Sequence, residues 1–213
     1  SSDVSNELRT PIAVIRSQCE FALSGQAGEE EKREAFEAVL KQSERMNSIV
    51  SQLLLLSRAE NGKFVLEKEP VEFHVLCETV CEELEAAAGQ VKLEWKTEEI
   101  TLTGDETLLI RMVNNLVSNA VQYNRPGGSV EVFLKERAGY AVLTVRDTGI
   151  GIEKEDLEQI FNRFYRADRS RSSEGTGLGL SMAEWIAGIH GGEIRAESVY
   201  GEGSVFTVEL PIE

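Results

Sequence analysis

Asp147-Thr148-Gly149-Ile150-Gly151 sets a carboxylate and two glycines where an alternating apolar run, Val142, Leu143 and Val145, gives way to a loop. An aspartate anchored at a strand end can accept a hydrogen bond from an exocyclic amine such as that of adenine. Glycines beside it let the backbone approach a ligand where a Cβ would collide. Taken alone, the five residues also make an ordinary turn, so the reading as a base-recognition turn rests on what accompanies them. Asn115 and Asn119 lie one turn apart on a single face of an expected helix. Asparagine is a middling helix former, so two on one face call for a reason, and a plain polar face is the alternative to a ligand site. Their hard amide oxygens suit Mg²⁺, which is commonly held by few protein groups together with water and substrate phosphates. Gly175-Thr176-Gly177-Leu178-Gly179-Leu180 precedes an apolar helix expected over 182–189. Glycine-rich backbone at a helix N-terminus offers N–H groups and the positive dipole end to anions. Arg163, Arg166, Arg169 and Arg171 crowd one short stretch of an otherwise acidic chain. Guanidinium forks match phosphate oxygens, and a solvated loop accounts for the same composition; a lid satisfies both.

These groups need helices and a sheet to hold them. Asp105 is placed to cap a long helix running to Tyr123, with Gln122 in its last turn and an apolar stripe of Leu108, Met112, Leu116 and Ala120. Arg125-Pro126-Gly127-Gly128 reads as a turn. Val130, Val132 and Leu134 with Ala141, Leu143 and Val145 read as an antiparallel pair leading into Asp147. Upstream, Val75, Leu76, Val80, Leu84 and Ala88 have helical spacing, and 91–95 and 100–103 are strand-like. Two closing strands follow the last helix. His74 is expected to be a surface or capping residue, and His190 an end-of-helix residue.

The N-terminal part reads as a helical hairpin. Val4, Leu8, Pro11, Ile15, Cys19 and Ala22 form one seam; Phe36, Val39, Met46, Ile49 or Val50, Leu53 and Leu56 form the other. Gly25 to Gly28 separates the two helices, and Asn61-Gly62 ends the second. Two apolar seams on one hairpin favour a dimeric four-helix bundle. Asn6 and Thr10 share a face beside Glu7, just above Pro11, which removes a backbone donor. Residues 63–67 alternate like a short strand and Pro70 closes the connection, so the expected domains are 1–67 and 68–213.

With 22 Lys+Arg against 37 Asp+Glu, the formal net charge of the 213 residues is −15. That balance argues against nucleic acid or an anionic membrane as partner. No apolar run approaches the ~20 residues that span a bilayer, and the N-terminus has no signal-peptide pattern. The expected location is cytoplasmic. Cys19, Cys77 and Cys81 have no metal-like pairing and read as reduced core thiols.

Ser5-Asn6-Glu7-Leu8-Arg9-Thr10-Pro11 resembles the phosphoacceptor box of sensor histidine kinases, with asparagine where that box has histidine. The stretch with Asn115, Asn119, Gln122 and Tyr123 resembles their N box, and Asp147, Gly149 and Gly151 their first glycine box. Residues 160–166 look like the F box, with Arg163 the first choice and Arg166 the second for reaching the terminal phosphate. Gly175, Thr176, Gly177, Leu178 and Gly179 resemble the second glycine box. The order of the boxes is what makes each of them specific.

The resemblance implies an α+β protein: a helical hairpin in a dimeric four-helix bundle, then an α/β two-layer sandwich of the Bergerat type that binds ATP and Mg²⁺. Asn115 and Asn119 would meet the metal, directly or through water, and Gln122 replaces a usually basic residue at one phosphate contact. Glu7 would be the base for phosphorylation, Thr10 would orient water in dephosphorylation, and the partner would be a response-regulator receiver domain. Hydrolytic ATPases of the same fold carry a glutamate one turn before an asparagine-alanine pair; here Asn115 precedes Asn119-Ala120, which favours phosphotransfer. An amide nitrogen offers no lone pair as an imidazole does, so autophosphorylation is expected to be absent with Asn6. Intact flanking residues favour a deliberate substitution; a natural pseudokinase serving as an ATP-responsive binding module is the alternative. The start inside a helix suggests a piece cut from a sensor, and the resemblance, rather than any residue here, implies that the missing N-terminal segments anchor the parent protein in a membrane.

Overall fold

The structure is a computed structural model that describes all residues except 1, 26, 61–64 and 168–175, and omits the side chains of 2–7, 56 and 58–60. The chain forms two compact units, Ser1–Phe64 and Val65–Glu213.

The first unit is a helical hairpin of α1 (Ser2–Leu23) and α2 (Glu29–Glu60). Helix α1 continues through Pro11. The hairpin turn uses Gly25 at φ 75°, and the Gly28 N–H donates to Glu31 Oε2 at 2.7 Å. That bond is one half of a capping box and satisfies a donor that the helix start leaves open. The seam between the helices differs from the expected one. Ala35 and Ile49 are buried, which decides Ile49 over Val50, whereas Phe36 is 60% exposed. Phe36 falls on a second apolar stripe with Leu40, Val50 and Leu54, all exposed. One apolar face of α2 meets α1, and a hairpin has no third element for the other. The Asn61-Gly62 stop lies outside the described residues.

The second unit contains β1 (Glu69–Glu72), α3 (Phe73–Ala87), β2 (Lys92–Thr97), β3 (Thr101–Gly104), α4 (Glu106–Gln122), β4 (Ser129–Arg137), β5 (Tyr140–Asp147), α5 (Lys154–Leu157), α6 (Gly179–Ile189), β6 (Glu193–Val199) and β7 (Gly203–Pro211). The strand expected over 63–67 is not found in its described part: 65–68 is irregular, and the strand begins at Glu69 and includes Pro70. Among the described residues, strand β1 pairs only with β3. A strand with one partner has outward-facing N–H positions that tolerate proline.

The main sheet has the order β2-β4-β5-β7-β6, with β2 parallel to β4 and every other pair antiparallel. Alternation sends Val130, Val132, Leu134, Ala141, Leu143, Val145, Phe206, Val208 and Leu210 to one buried face. Helices α3, α4 and α6 supply Leu76, Met112, Leu116, Met182 and Ile186 to the same core, so the unit is two layers, helices on one side of a mixed sheet.

Two expectations for single residues hold. Asp105 accepts a hydrogen bond from the Leu108 N–H at 3.1 Å and caps α4. His190 follows α6, with Nδ1 2.8 Å from the Ile186 carbonyl and Nε2 accepting from the Asp105 N–H at 3.0 Å. That pattern requires neutral imidazole with its proton on Nδ1. His74 is half-buried, its Nδ1 3.2 Å from the Ile100 carbonyl oxygen, and ties α3 to the start of β3. Cys77 and Cys81 are buried in α3, and burial pushes the Cys81 thiol up to about 12. Such thiols stay protonated and unreactive.

Candidate functional site

Strand β5 delivers Asp147 to the site, and β7 holds it from the side. Asp147 is 8% exposed. Its Oδ1 accepts from the Gly149 N–H at 2.8 Å, and the Ser204 backbone N–H donates to the same carboxylate. Ser204 is Asp147's partner in the β5–β7 register. Burial is the larger influence and pushes the carboxyl above its ordinary range, while these two N–H donors pull it back.

Gly149 is required by close approach. A Cβ there would collide with the Tyr123 carbonyl oxygen and come within 2.8 Å of Asp147 Oδ1. The Ile150 N–H donates to that Tyr123 carbonyl at 3.0 Å. The end of α4 and the glycine turn are therefore one piece of structure. Gly151 packs against the Val199 carbonyl on the other side.

Asn124, unnamed in the sequence analysis, and Thr148, given no role there, fasten the same junction. Asn124 Nδ2 donates to the Ala120 carbonyl at 3.2 Å and to the Ser129 carbonyl at 2.9 Å. Thr148 Oγ1 accepts from the Ser129 N–H at 2.8 Å. The available signal was chemical: a side-chain amide just past a helix end, and a hydroxyl between aspartate and glycine, are suited to bonding local backbone.

On α4, which packs against α6, Asn115 and Asn119 are half-buried one turn apart. Asn115 Oδ1 lies 3.6 Å from where a Cβ on Gly179 would sit, so α6 begins directly opposite it. Asn115 Nδ2 is buried with no hydrogen-bond partner among the described residues. An unpaired buried amide costs about 1–3 kcal/mol, which a ligand at that spot would offset. Leu178 stands at the N-cap of α6 and has no side-chain cap bond, leaving the first-turn N–H groups to other acceptors. A metal held here would rest on the amide oxygens: no group of three or more His, Cys, Asp or Glu able to hold one exists among the described residues. Gln122 is exposed in the last turn of α4, and Tyr123 is half-buried at its C-cap.

The arginine-rich stretch leaves α5 and returns to α6 at a pinned base. The Phe164 N–H donates to the Gly177 carbonyl at 2.8 Å, with Phe164 at φ 62° and Gly177 at φ 67°. Tyr165 also donates its hydroxyl proton to Asp156. Thr176 Oγ1 accepts from the Leu178 N–H at 3.4 Å. Arg163 is exposed and Arg166 half-buried between these points. Arg169, Arg171 and Gly175 lie outside the described residues, as do the side chains of Asn6 and Glu7; Thr10 is exposed on α1.

Residues 104–213 match the family model described as histidine kinase-, DNA gyrase B-, and HSP90-like ATPase, and residues 1–62 match the His Kinase A (phospho-acceptor) domain. The sensor histidine kinase RppB of Synechocystis is 37% identical over 219 residues, covering 100% of this chain and 48% of the relative. The chain belongs to the sensor histidine kinases. The sensor-like histidine kinase SenX3 of Mycobacterium tuberculosis is 34% identical, covering 99% of this chain and 52% of its own. This kinase chain thus spans about half the length of the curated relatives it matches. Among solved structures, the mycobacterial sensor histidine kinase MprB is 29% identical with TM-score 0.62 over 68% of the kinase chain and 97% of its own. The Acinetobacter baumannii histidine kinase AdeS shares the fold at TM-score 0.80 and 24% identity, over 97% and 98% of the two chains. The histidine kinase ThkA in complex with the response regulator protein TrrA has the same fold at TM-score 0.77 and 24% identity, over 100% of this chain and 60% of that one.

Proposed function

We propose that the second unit binds ATP with Mg²⁺ and that the first carries a phosphoacceptor position, residue 6, occupied by asparagine. The observation that carries the nucleotide reading is the orphaned Asn115 amide facing the start of α6. Asp147 would accept from the adenine amine, and the Gly149 and Gly151 turn would let the base approach. The α6 N-terminus with Thr176, Gly177, Leu178 and Gly179 would meet phosphates, and Arg163 or Arg166 the terminal one. Asn115 and Asn119 would hold Mg²⁺, directly or through water, and its charge would offset that of the phosphates.

With histidine at position 6, an imidazole nitrogen would take the γ-phosphoryl group in line as the bond to ADP breaks, and Glu7 would accept the displaced proton. The phosphoryl group would then pass to an aspartate of a response-regulator receiver domain. Asn6 offers no nucleophilic lone pair, so the first step would stop with ATP bound. The exposed stripe of Phe36, Leu40, Val50 and Leu54 supports a homodimer built through α1 and α2.

Incubating the chain and its Asn6→His variant with γ-labelled ATP and Mg²⁺ tests this reading. Acid-labile phosphate only on the histidine variant supports a kinase core silenced at one side chain. Binding of ATP by both with label on neither favours the second reading, a pseudokinase that acts as an ATP-responsive binding module, which Asn6 itself motivates. The exposed Thr10 supports retained dephosphorylation of a receiver domain; Thr10→Ala without effect on that rate removes it.

A further inference from the structure

Arg125 belongs to a turn that the sequence reading treated only as a connection. Its Nη2 donates to the Gly149 carbonyl at 2.9 Å and also to the Gly201 carbonyl. Gly149 is in the glycine turn, and Gly201 is in the hairpin between β6 and β7. The Gly201 N–H in turn donates to the Ile150 carbonyl at 2.8 Å. The turn is thus held by the Tyr123 carbonyl on the α4 side and by the hairpin on the other, and one guanidinium spans both. Its own backbone is fixed: Asn124 Oδ1 accepts from the Arg125 N–H at 2.9 Å, and Pro126 restricts the conformation of the residue before it.

We propose that Arg125 is a positioning residue for nucleotide binding, acting through the Gly149 carbonyl to set the glycine turn against the hairpin and so place Asp147 toward the base. The proposal rests on the ATP reading above. Removing the guanidinium leaves two carbonyl oxygens that shared one donor. Because Arg125 is exposed, water can satisfy both, so the fold persists while the turn loses its set position. Lysine keeps the charge on a flexible stem and brings three donors without the planar fork. It should restore much of the function.

The test is the dissociation constant for Mg·ATP, by calorimetry, of the chain as it stands and of Arg125→Ala and Arg125→Lys, with thermal melting of each in the absence of nucleotide. The expected result is about tenfold weaker binding for alanine, recovery to within about threefold of the parent for lysine, and melting points within a few degrees of one another. Alanine binding as tightly as the parent overturns the proposal, and so does a lysine variant as weak as alanine. A fall in melting temperature that accounts for the weakened binding also overturns it, since the role is then structural alone. Failure of the parent itself to bind ATP overturns the nucleotide reading and this one with it, and is recognised by appearing in the parent.

Discussion

Asp147→Asn separates what this side chain does for a ligand from what it does for the fold. Oδ1 accepts from Gly149 N–H and the carboxylate also accepts from Ser204 N–H. An asparagine must turn its oxygen toward those donors, which would point its NH₂ at the adenine amine of the proposed ligand, donor against donor. Turned the other way, the NH₂ confronts Gly149. The orientation that keeps the fold's own donors satisfied forfeits the hydrogen bond to the proposed ligand, worth about 1.5–3 kcal/mol, so Mg·ATP affinity should fall roughly ten- to a hundredfold. Stability should move differently. The folded-state carboxyl sits above the ordinary aspartate value of 3.8 because burial outweighs its two donors. Between those two values the folded chain keeps a proton that the unfolded chain has released, so this group's contribution to stability is present at low pH and is lost as pH rises through the folded value. A neutral isostere removes that loss. The variant should melt no lower than the parent at pH 7 and should lack the parent's slope in mildly acidic buffer. Calorimetric titration with Mg·ATP and melting curves across pH measure both. Unchanged ATP affinity together with a lower melting temperature at pH 7 would refute the reasoning, because Asp147 would then be a structural carboxylate.

His190 titrates in the opposite sense. Burial, reinforced by Lys68, holds its imidazole below the ordinary 6.5, against the Ile186 bond and Asp105. Its contribution is therefore present above 6.5 and is lost as pH falls from there through the folded value; His190→Ala should flatten that slope in melting curves and cost about 1–3 kcal/mol at pH 7.5 by orphaning the Asp105 N–H. Leu40→Glu, at a side chain 60% exposed in the single chain, should shift sedimentation from dimer to monomer while leaving the melting of the second unit unchanged. A variant that stays dimeric would move the dimer contact elsewhere.

Much of the site was legible because its chemistry is local in sequence. The two asparagines on one helix face, the aspartate with its glycines and the glycine-rich helix start each require particular residue types at fixed short spacings. Helix α4, the β4–β5 pair and the Asp105 cap follow from periodicity and capping, which are also local. What was missed or misread depended on partners far along the chain. Phe36 has the right spacing for a seam, but α2 carries two apolar stripes, and only packing against α1 selects Ala35 and Ile49. Pro70 reads as a break until β1 is seen to have a single strand partner. Asn115 faces Gly179, Asp147 is held by Ser204, and Arg125 reaches Gly201, each across dozens of residues that say nothing of the pairing. The amino-acid order thus determined which groups are available for the proposed contacts to phosphate, base and metal, since side-chain type and helical spacing are properties of short segments. The tertiary structure decided which of them meet and which stay buried without a partner, because register and helix packing minimise exposed apolar area over the whole chain at once.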